Sequence, residues 1–486
     1  MTLKIVILGG GPAGLGLALR LLRRTDLQVE VTVIEKESYV GGLTAGFESH
    51  GLQFDFGSHR LHPNTDPEIL QDISALLGSD LLSRPRNGRI RLLGRFIRFP
   101  LNPVDLIFYL PFSFVCGFLT DMFRSFFCSK KTDLNTYQDV LLAGLGNTIC
   151  HTFYFPYAEK LWGFAPDKIS AVQAYRRVKA HSFTKIIEKV LTALPGLKPK
   201  NSGIFYYPKN GYRQIAESMA HEVQRLGGVI RLSSCVNEIR VDSSHARSVG
   251  VTSDEITDSA MKKKVERITE KLSADLIFST IPITDLCTYF NPSLPENIVS
   301  CNSRIRYRSM VLCYFVLQTD QFTLFDAHYF PEKEFLFSRI SESKNYAAQS
   351  VPEGITGLCI EIPCDTGDAI WNTTTEILSE RILADMRKAG LPVTVSVKEI
   401  SVKRLRHVYP VYDLEYQSNL KQILDYLNTI SGLITLGRQG LFAHDNTHHT
   451  IETAYRACDS VLDDNSFDHK KWAEHRKRFE QHIVED

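Results

Sequence analysis

The stretch that decides the fold runs from Lys4 to Leu22 and reads KIVILGGGPAGLGLALRLL. Three consecutive glycines separate an apolar, β-branched run, Ile5 to Leu8, from a leucine-rich run carrying Leu15, Leu17, Leu19, Leu21 and Leu22. The first run reads as a strand buried on both faces, the second as a helix lying against a sheet. Glycine weakens strands and helices alike, so its clustering here needs a cause. Gly9, Gly11 and Gly14 fit G-x-G-x-x-G. In that pattern the first glycine makes a tight turn, the second lets backbone approach a pyrophosphate, and the third allows close helix–strand packing. Pro12 and Ala13 then open a helix whose N-terminus faces the phosphates. A second strand, VEVTVIE, ends in Glu35, 21 residues after Gly14. There an acid accepts the ribose hydroxyls of an adenine dinucleotide, and Lys36 follows it.

Around this nucleus the chain of 486 residues is 43% hydrophobic and 23% charged, ordinary for a soluble protein of two or more domains. A net charge of +1 creates no field that would gather nucleic acid. The ten cysteines form no C-x-x-C pair and no signal peptide precedes the first strand, so reduced thiols and a cytoplasmic location are expected. One segment strains that picture. LIFYLPFSFVCGFLT, Leu106 to Thr120, is uncharged, contains Pro111 and Gly117, and leads into DMFRSFFCSKK. It is too short to span a bilayer comfortably. Two readings stay open: a buried helix lining a substrate pocket, or a peripheral membrane contact through residues 106–127 with Arg124, Lys130 and Lys131 at the headgroups. SDEITDSAMKKKVERITEKLSAD is charge-rich and reads as a solvated hairpin loop, whereas MVLCYFVL and GLCIEI read as strands.

After Glu35 comes KESYVGGLTAGFESHGLQFDFGSHRLHP, with a second glycine pair, Gly41 and Gly42. Here the chain resembles the glutathione-reductase-like FAD proteins in their amine oxidase and protoporphyrinogen oxidase branch. The resemblance implies an α/β fold: a Rossmann-type FAD-binding domain with an inserted α+β substrate domain. It implies that Gly42 and Leu43 pass the pyrophosphate and that Gly57, Ser58 and His59 lie beside the flavin ring. YFPYAEKLWGFAPDKISAVQAYRRV looks like the cleft segment of UDP-galactopyranose mutases, and FPEKEFLFSRISESKNYA like their segment with a diphosphate-binding arginine, here Arg339. In GIFYYPKNGYRQIAESMAHEVQRLGGVIRLSSCVNEIRV the main chain at Val236 would clamp the adenine. LGRQGLFAHDNTHHTIETAYRACD resembles the C-terminal FAD motif, with Gly437 and Arg438 at the flavin–ribityl region and a helix from Thr447 aimed at it.

The closest local motifs are those of the mutases, and the sequence departs from them at two places. A mutase arginine is replaced by Ala180, although Arg176 and Arg177 lie just before it, and a diphosphate-holding tyrosine by His444. Alanine cannot replace a bidentate guanidinium. The candidate catalytic residues are therefore His59, Arg176, Arg339 and Tyr409, with Trp162 adding aromatic surface. Three chemistries follow from the resemblance. An FAD-dependent oxidoreductase would pass hydride from a substrate carbon to flavin N5. A mutase-like flavoprotein would isomerise a sugar nucleotide with no net redox change. A flavin-binding structural protein would do neither. FAD is expected noncovalently, since no histidine or cysteine stands in a segment resembling a covalent attachment site. His444, His448 and His449 are read as flavin- or substrate-facing groups, and no metal is expected. The expected substrate is a small molecule with an anionic headgroup, a phosphorylated glycosyl or lipid-linked species. The FAD-binding domain is expected at 1–60, 201–291 and 401–486, and the substrate-binding domain at 61–200 and 292–400.

Overall fold

The computed structural model describes residues 2–101, 103–127, 134–177, 203–259, 262–347 and 352–484. The opening stretch folds as read: β1 (Leu3–Leu8), a glycine turn, α1 (Pro12–Leu22) and β2 (Val29–Ile34). β1 is the central strand of a five-stranded parallel sheet, with Leu276–Ser279 and then Leu433–Thr435 on one side, and β2 and then Val229–Arg231 on the other. Alternation along β1 feeds two separate cores. Leu3, Ile5 and Ile7 pack under α1 with the helix Gln214–Arg225, while Val6 and Leu8 pack on the opposite face against Ile283 and Ile423. A strand with both faces covered has little room for polar residues, which is why Ile5–Leu8 is an unbroken apolar run and Lys4 stands at the exposed start of the strand.

A second, mixed sheet of seven strands stands apart from the first. Its order is Val397–Pro410 (β3), Tyr307–Leu317, Thr356–Cys364, Arg339–Glu342, Ala327–Tyr329, Gly88–Leu92 and Arg95–Phe99. The two runs read as strands, MVLCYFVL and GLCIEI, pair antiparallel in its centre. Val311, Cys313 and Phe315 serve one core and Met310, Leu312 and Tyr314 the other. β3 crosses the domain boundary expected between 400 and 401. The charged segment read as a solvated hairpin loop is a hairpin, but a long one of two antiparallel strands, His245–Ser259 and Lys262–Ser273.

The apolar stretch from Leu106 is broken at Pro111 into Pro103–Phe108 and Phe112–Phe127. Leu106, Leu110, Phe114 and Phe118 enter a helical core with Tyr137 and Trp162. Among the described residues none of 106–124 lines the cavity described below, and the buried side of this segment packs into a core instead. Among the described residues no helix is long and apolar enough to cross a membrane. Lys130, Lys131 and Ala180 lie outside the described residues.

Candidate active site

Both sheets contribute walls to one elongated cavity of about 560 Å³. At one end lie the β1–α1 turn and the tip of β2. Gly9 has φ +105°, and a Cβ there would meet Thr280 Oγ1 at 2.4 Å; a Cβ at Gly14 would meet the Gly9 carbonyl oxygen at 2.0 Å. Those two glycines are required by the protein itself. Gly11 is not: its φ is −80°, and a Cβ would meet nothing nearer than the Gly41 carbonyl oxygen at 4.0 Å. The space it leaves open faces the cavity at the N-terminus of α1, with Pro12 and Ala13 beside it. The second glycine pair leans on the first turn, Gly41 donating its N–H to the Gly10 carbonyl at 2.8 Å. A ligand with a pyrophosphate fits a cradle made of open backbone and a helix N-terminus.

Glu35 closes this end. Its carboxylate accepts the Gly10 N–H at 2.7 Å and the Glu37 N–H at 2.9 Å. Burial raises its pKa, and those two backbone donors oppose the rise. Each carboxylate oxygen retains acceptor capacity for a diol. Lys36, Gly42, Leu43 and Val236 share the same wall.

Farther along, Gly57, Ser58, His59, Arg339, Tyr409, Arg438 and Thr447 all line the cavity. His59 hydrogen-bonds through Nε2 to the Phe56 carbonyl at 3.0 Å and stacks on Tyr212. Burial, with the Arg339 charge nearby, brings its pKa down to about 4, so the imidazole is neutral near pH 7. Arg339 is held by Glu361 in a bidentate pair, with Nε and Nη2 each donating at 2.8 Å. Burial disfavours this cation, but Glu361 outweighs it and raises the pKa. Glu361 also accepts the Ser58 N–H at 2.9 Å. Arg438 donates to the carbonyls of Asp445 and Val408 and lies over the Tyr409 ring.

Several expected participants, His448 and His449 among them, are elsewhere. Gly14 and Gly437 stand behind the wall; Gly437, with φ +75°, lets Leu436–Gly440 approach Ala13, and its N–H donates to Thr453. Arg176, in α2 (Ala171–Arg177), turns from the cavity to the Tyr412 hydroxyl and the Glu480 carbonyl, and Arg177 reaches the wall instead. Trp162 and His444 are buried behind it, at 4% and 0% exposure. His444 packs among Trp162, Tyr409 and Tyr412, where burial first and Arg438 second hold it neutral. Sequence reasoning missed Arg60, Arg86 and the run Lys403–Val408 of β3, all in the wall. The signal was present in KRLRHV, whose basic residues break the apolar alternation of the neighbouring strands.

Asp445, His449 and His482 bring ligating atoms within 4.8 Å of one another. Their hydrogen bonds are those of an ion-pair cluster. His482 gives Nδ1 to Asp445 and Nε2 to Glu452, while His449 accepts the Asn446 N–H at Nδ1 and so carries its own proton on Nε2. The His449 and His482 rings are stacked at 4.2 Å and 13°, which prevents both from aiming lone pairs at one ion.

The model of the family described as flavin containing amine oxidoreductase matches residues 12–462. A phytoene desaturase of Fusarium fujikuroi is 22% identical over 402 residues, taking in 74% of this chain and 66% of that protein, so the match spans just under two thirds of the relative. A reduced UDP-galactopyranose mutase superposes with TM-score 0.78 at 20% identity, covering 95% of this chain and 94% of that one. Putrescine oxidase bound to putrescine gives 0.59 at 16%, covering 95% and 99%. The fold is thus that of the FAD-binding amine oxidases. The chain belongs to the flavin containing amine oxidoreductase family.

Proposed function

We propose that the protein binds FAD noncovalently in this cavity and oxidises a carbon atom of an anionic, amphipathic substrate, a phosphorylated glycosyl or lipid-linked molecule. Bound FAD supplies the hydride acceptor. The residues of this chain supply the rest. Gly9, Gly11, Pro12, Ala13, Gly42 and Leu43 would hold the pyrophosphate, Glu35 and Lys36 the ribose, and Val236 the adenine. Gly57, Ser58, His59, Arg438 and Thr447 would flank the flavin and its ribityl chain, and Tyr409 would form part of the substrate wall.

The observation that supports an anionic substrate is the charge of the cavity. Nine lysine and arginine side chains line it against five acidic ones, in a chain whose net charge is only +1. A dinucleotide pyrophosphate offsets part of that excess, and an anionic headgroup matches the remainder. We assign headgroup contact to Arg339, which Glu361 holds in the wall, and to Arg177, whose guanidinium lies 5.9 Å from the Tyr409 ring. Anaerobic mixing with a polyprenyl-phosphate sugar series tests this reading. An oxidoreductase bleaches its flavin with substrate alone, whereas the mutase-like alternative turns over only after prior reduction. Bleaching by neutral amines and by none of the phosphates would remove the anionic substrate.

The segment 106–127 supports a second element of the proposal, peripheral contact with a lipid surface. Phe108 and Phe112 are 76% and 83% exposed there, beside the exposed Tyr109 and Phe123.

A further inference from the structure

After the helix His469–Phe479 (α3) the chain returns to the cavity. Val484 is 7% exposed, stands in the cavity wall, and donates its N–H to the Arg176 carbonyl at 2.8 Å. Arg176 holds the same segment with its side chain, Nη2 reaching the Glu480 carbonyl at 3.2 Å. Between these anchors His482 lies between two carboxylates of another element. Its Nδ1 is 3.2 Å from Asp445 Oδ1 and its Nε2 is 3.5 Å from Glu452 Oε2. Asp445 is itself in the cavity wall, at the start of the helix Thr447–Cys458 (α4). The segment therefore bridges the end of α2 and the start of α4, the two places where Arg177 and Asp445 enter the cavity. Its further anchors are the stack of His482 on His449 and the buried Val484 side chain, while Ile483 is 41% exposed. A wall held in this way opens at lower free energy than the sheets around it.

We infer that residues 480–484 form a clasp closing the side of the cavity, with His482 as the positioning residue that holds it shut. The inference rests on FAD occupying the cavity and needs no particular substrate. The groups facing His482 are Asp445, Glu452 and His449, with His448 and His62 beyond them, Arg176 from α2, and Arg456 beside Glu452. Burial lowers the His482 pKa, but the hydrogen bonds to Asp445 and Glu452 more than reverse this and bring it up to about 9. Asp445 is lowered, burial opposing and His482 prevailing, and Glu452 is lowered chiefly by His482. The sign follows. A histidine with a raised pKa favours the docked state fully below its free value of about 6.5, and that contribution is lost as pH rises through about 9. The clasp is closed at neutral pH and opens in alkali.

Acrylamide quenching of bound-FAD fluorescence reads cavity access, and hydrogen exchange of the Val484 amide reads the clasp. In the wild-type holoenzyme both should step upward, roughly threefold or more, as pH passes about 9, the expectation for local opening. His482→Gln should show the open values already at neutral pH with no step. His482→Lys, whose ammonium titrates near about 10.4, should restore the closed values at neutral pH and move the step upward. Equal quenching in wild type and His482→Gln would overturn the gate, as would faster Val484 exchange with unchanged quenching. If His482→Gln loses its flavin, a wild type flat across the pH range overturns the proposal and a stepped one sustains it. A preparation with no flavin absorbance would instead refute FAD occupancy, and amide exchange alone would then decide the clasp.

Discussion

Gly11 adopts a backbone conformation open to any residue, so only something outside the protein keeps a side chain from that position. Gly11→Val should leave the apoprotein folded with an unchanged Tm and should abolish most FAD binding, both read by titrating apoprotein with FAD. Gly14→Val should fail earlier, at folding, because its Cβ collides with the Gly9 carbonyl. An unimpaired FAD affinity in Gly11→Val would remove the dinucleotide from this turn. Glu35→Ala acts by another route, removing an acceptor from Gly10 and Glu37 as well as from the ribose. Charge-assisted hydrogen bonds of this kind are worth about 1.5–3 kcal/mol, so affinity should fall roughly ten- to a hundredfold without vanishing. These residues were legible because the spacing of glycines and an acid around a strand–turn–helix has few other causes. Arg176 was not. Adjacent residues on a helix point about 100° apart, and resemblance located the Arg176–Arg177 pair without fixing which member faces inward. Trp162 and His444 were misread for a related reason: family spacing places a residue on its element, while burial decides whether it is wall or core.

At the scale of elements, the Arg339–Glu361 pair joins two neighbouring strands of the seven-stranded sheet and the Ser58 turn in a single polar contact. The Glu361 side chain is only 4% exposed. Breaking a buried pair strands the surviving charge, so Glu361→Gln should cost about 3–5 kcal/mol and lower Tm by several degrees. Arg339→Met should do the same, and the double variant Arg339→Met/Glu361→Leu should recover most of the loss. Single variants as stable as the wild type would show that water reaches the pair. The sheet's individual strands could be read from their apolar runs, but its order could not. Gly88–Leu92 pairs with Ala327–Tyr329 across more than two hundred residues, and nothing local encodes that register. The stretch from Leu106 shows the opposite failure. Composition marked it as apolar throughout, and only the break at Pro111 divides it between the core and the surface.

For the whole molecule, two balances of charge and surface set its behaviour. Among the histidines held neutral chiefly by burial are His59, His328 and His449 at about 4, His448 at about 3, and His444, held well below its usual value. They bind protons more readily when the chain unfolds, so stability should be lost as pH falls from about 6.5 towards 4. Asp55, raised by burial to about 6, works in the other direction over part of that range, as do Glu35, Glu332 and Glu342, which burial also raises. Tm should therefore peak near neutrality and fall on the acid side, whereas a Tm constant between pH 7 and about 4.5 would mean that these imidazoles are solvated. The second balance is the apolar surface. Ile107, Phe108, Tyr109, Phe112 and Phe123 are 42–83% exposed on the outer side of two helices whose inner side, Leu106, Leu110, Phe114 and Phe118, is fully packed. Arg95 donates to the Tyr109 carbonyl and Arg98 stands exposed nearby, so aromatic rings and guanidiniums share this side of the molecule. That combination suits an interface between headgroups and acyl chains. The protein should co-sediment with vesicles containing phosphatidylserine, and Phe108→Ser/Phe112→Ser should reduce binding about tenfold or more while flavin content and Tm stay unchanged. Added salt should weaken binding only in part, since insertion of the rings is not screened. Equal binding by the variant would leave the patch without a lipid role, and a dimer that the same variant dissolves would reassign it to a second copy of the chain. Because residues 106–124 do not line the cavity, such contact would orient the protein on the membrane rather than conduct lipid to the flavin, so the double variant should retain its rate on a detergent-dispersed substrate and lose it only on vesicles.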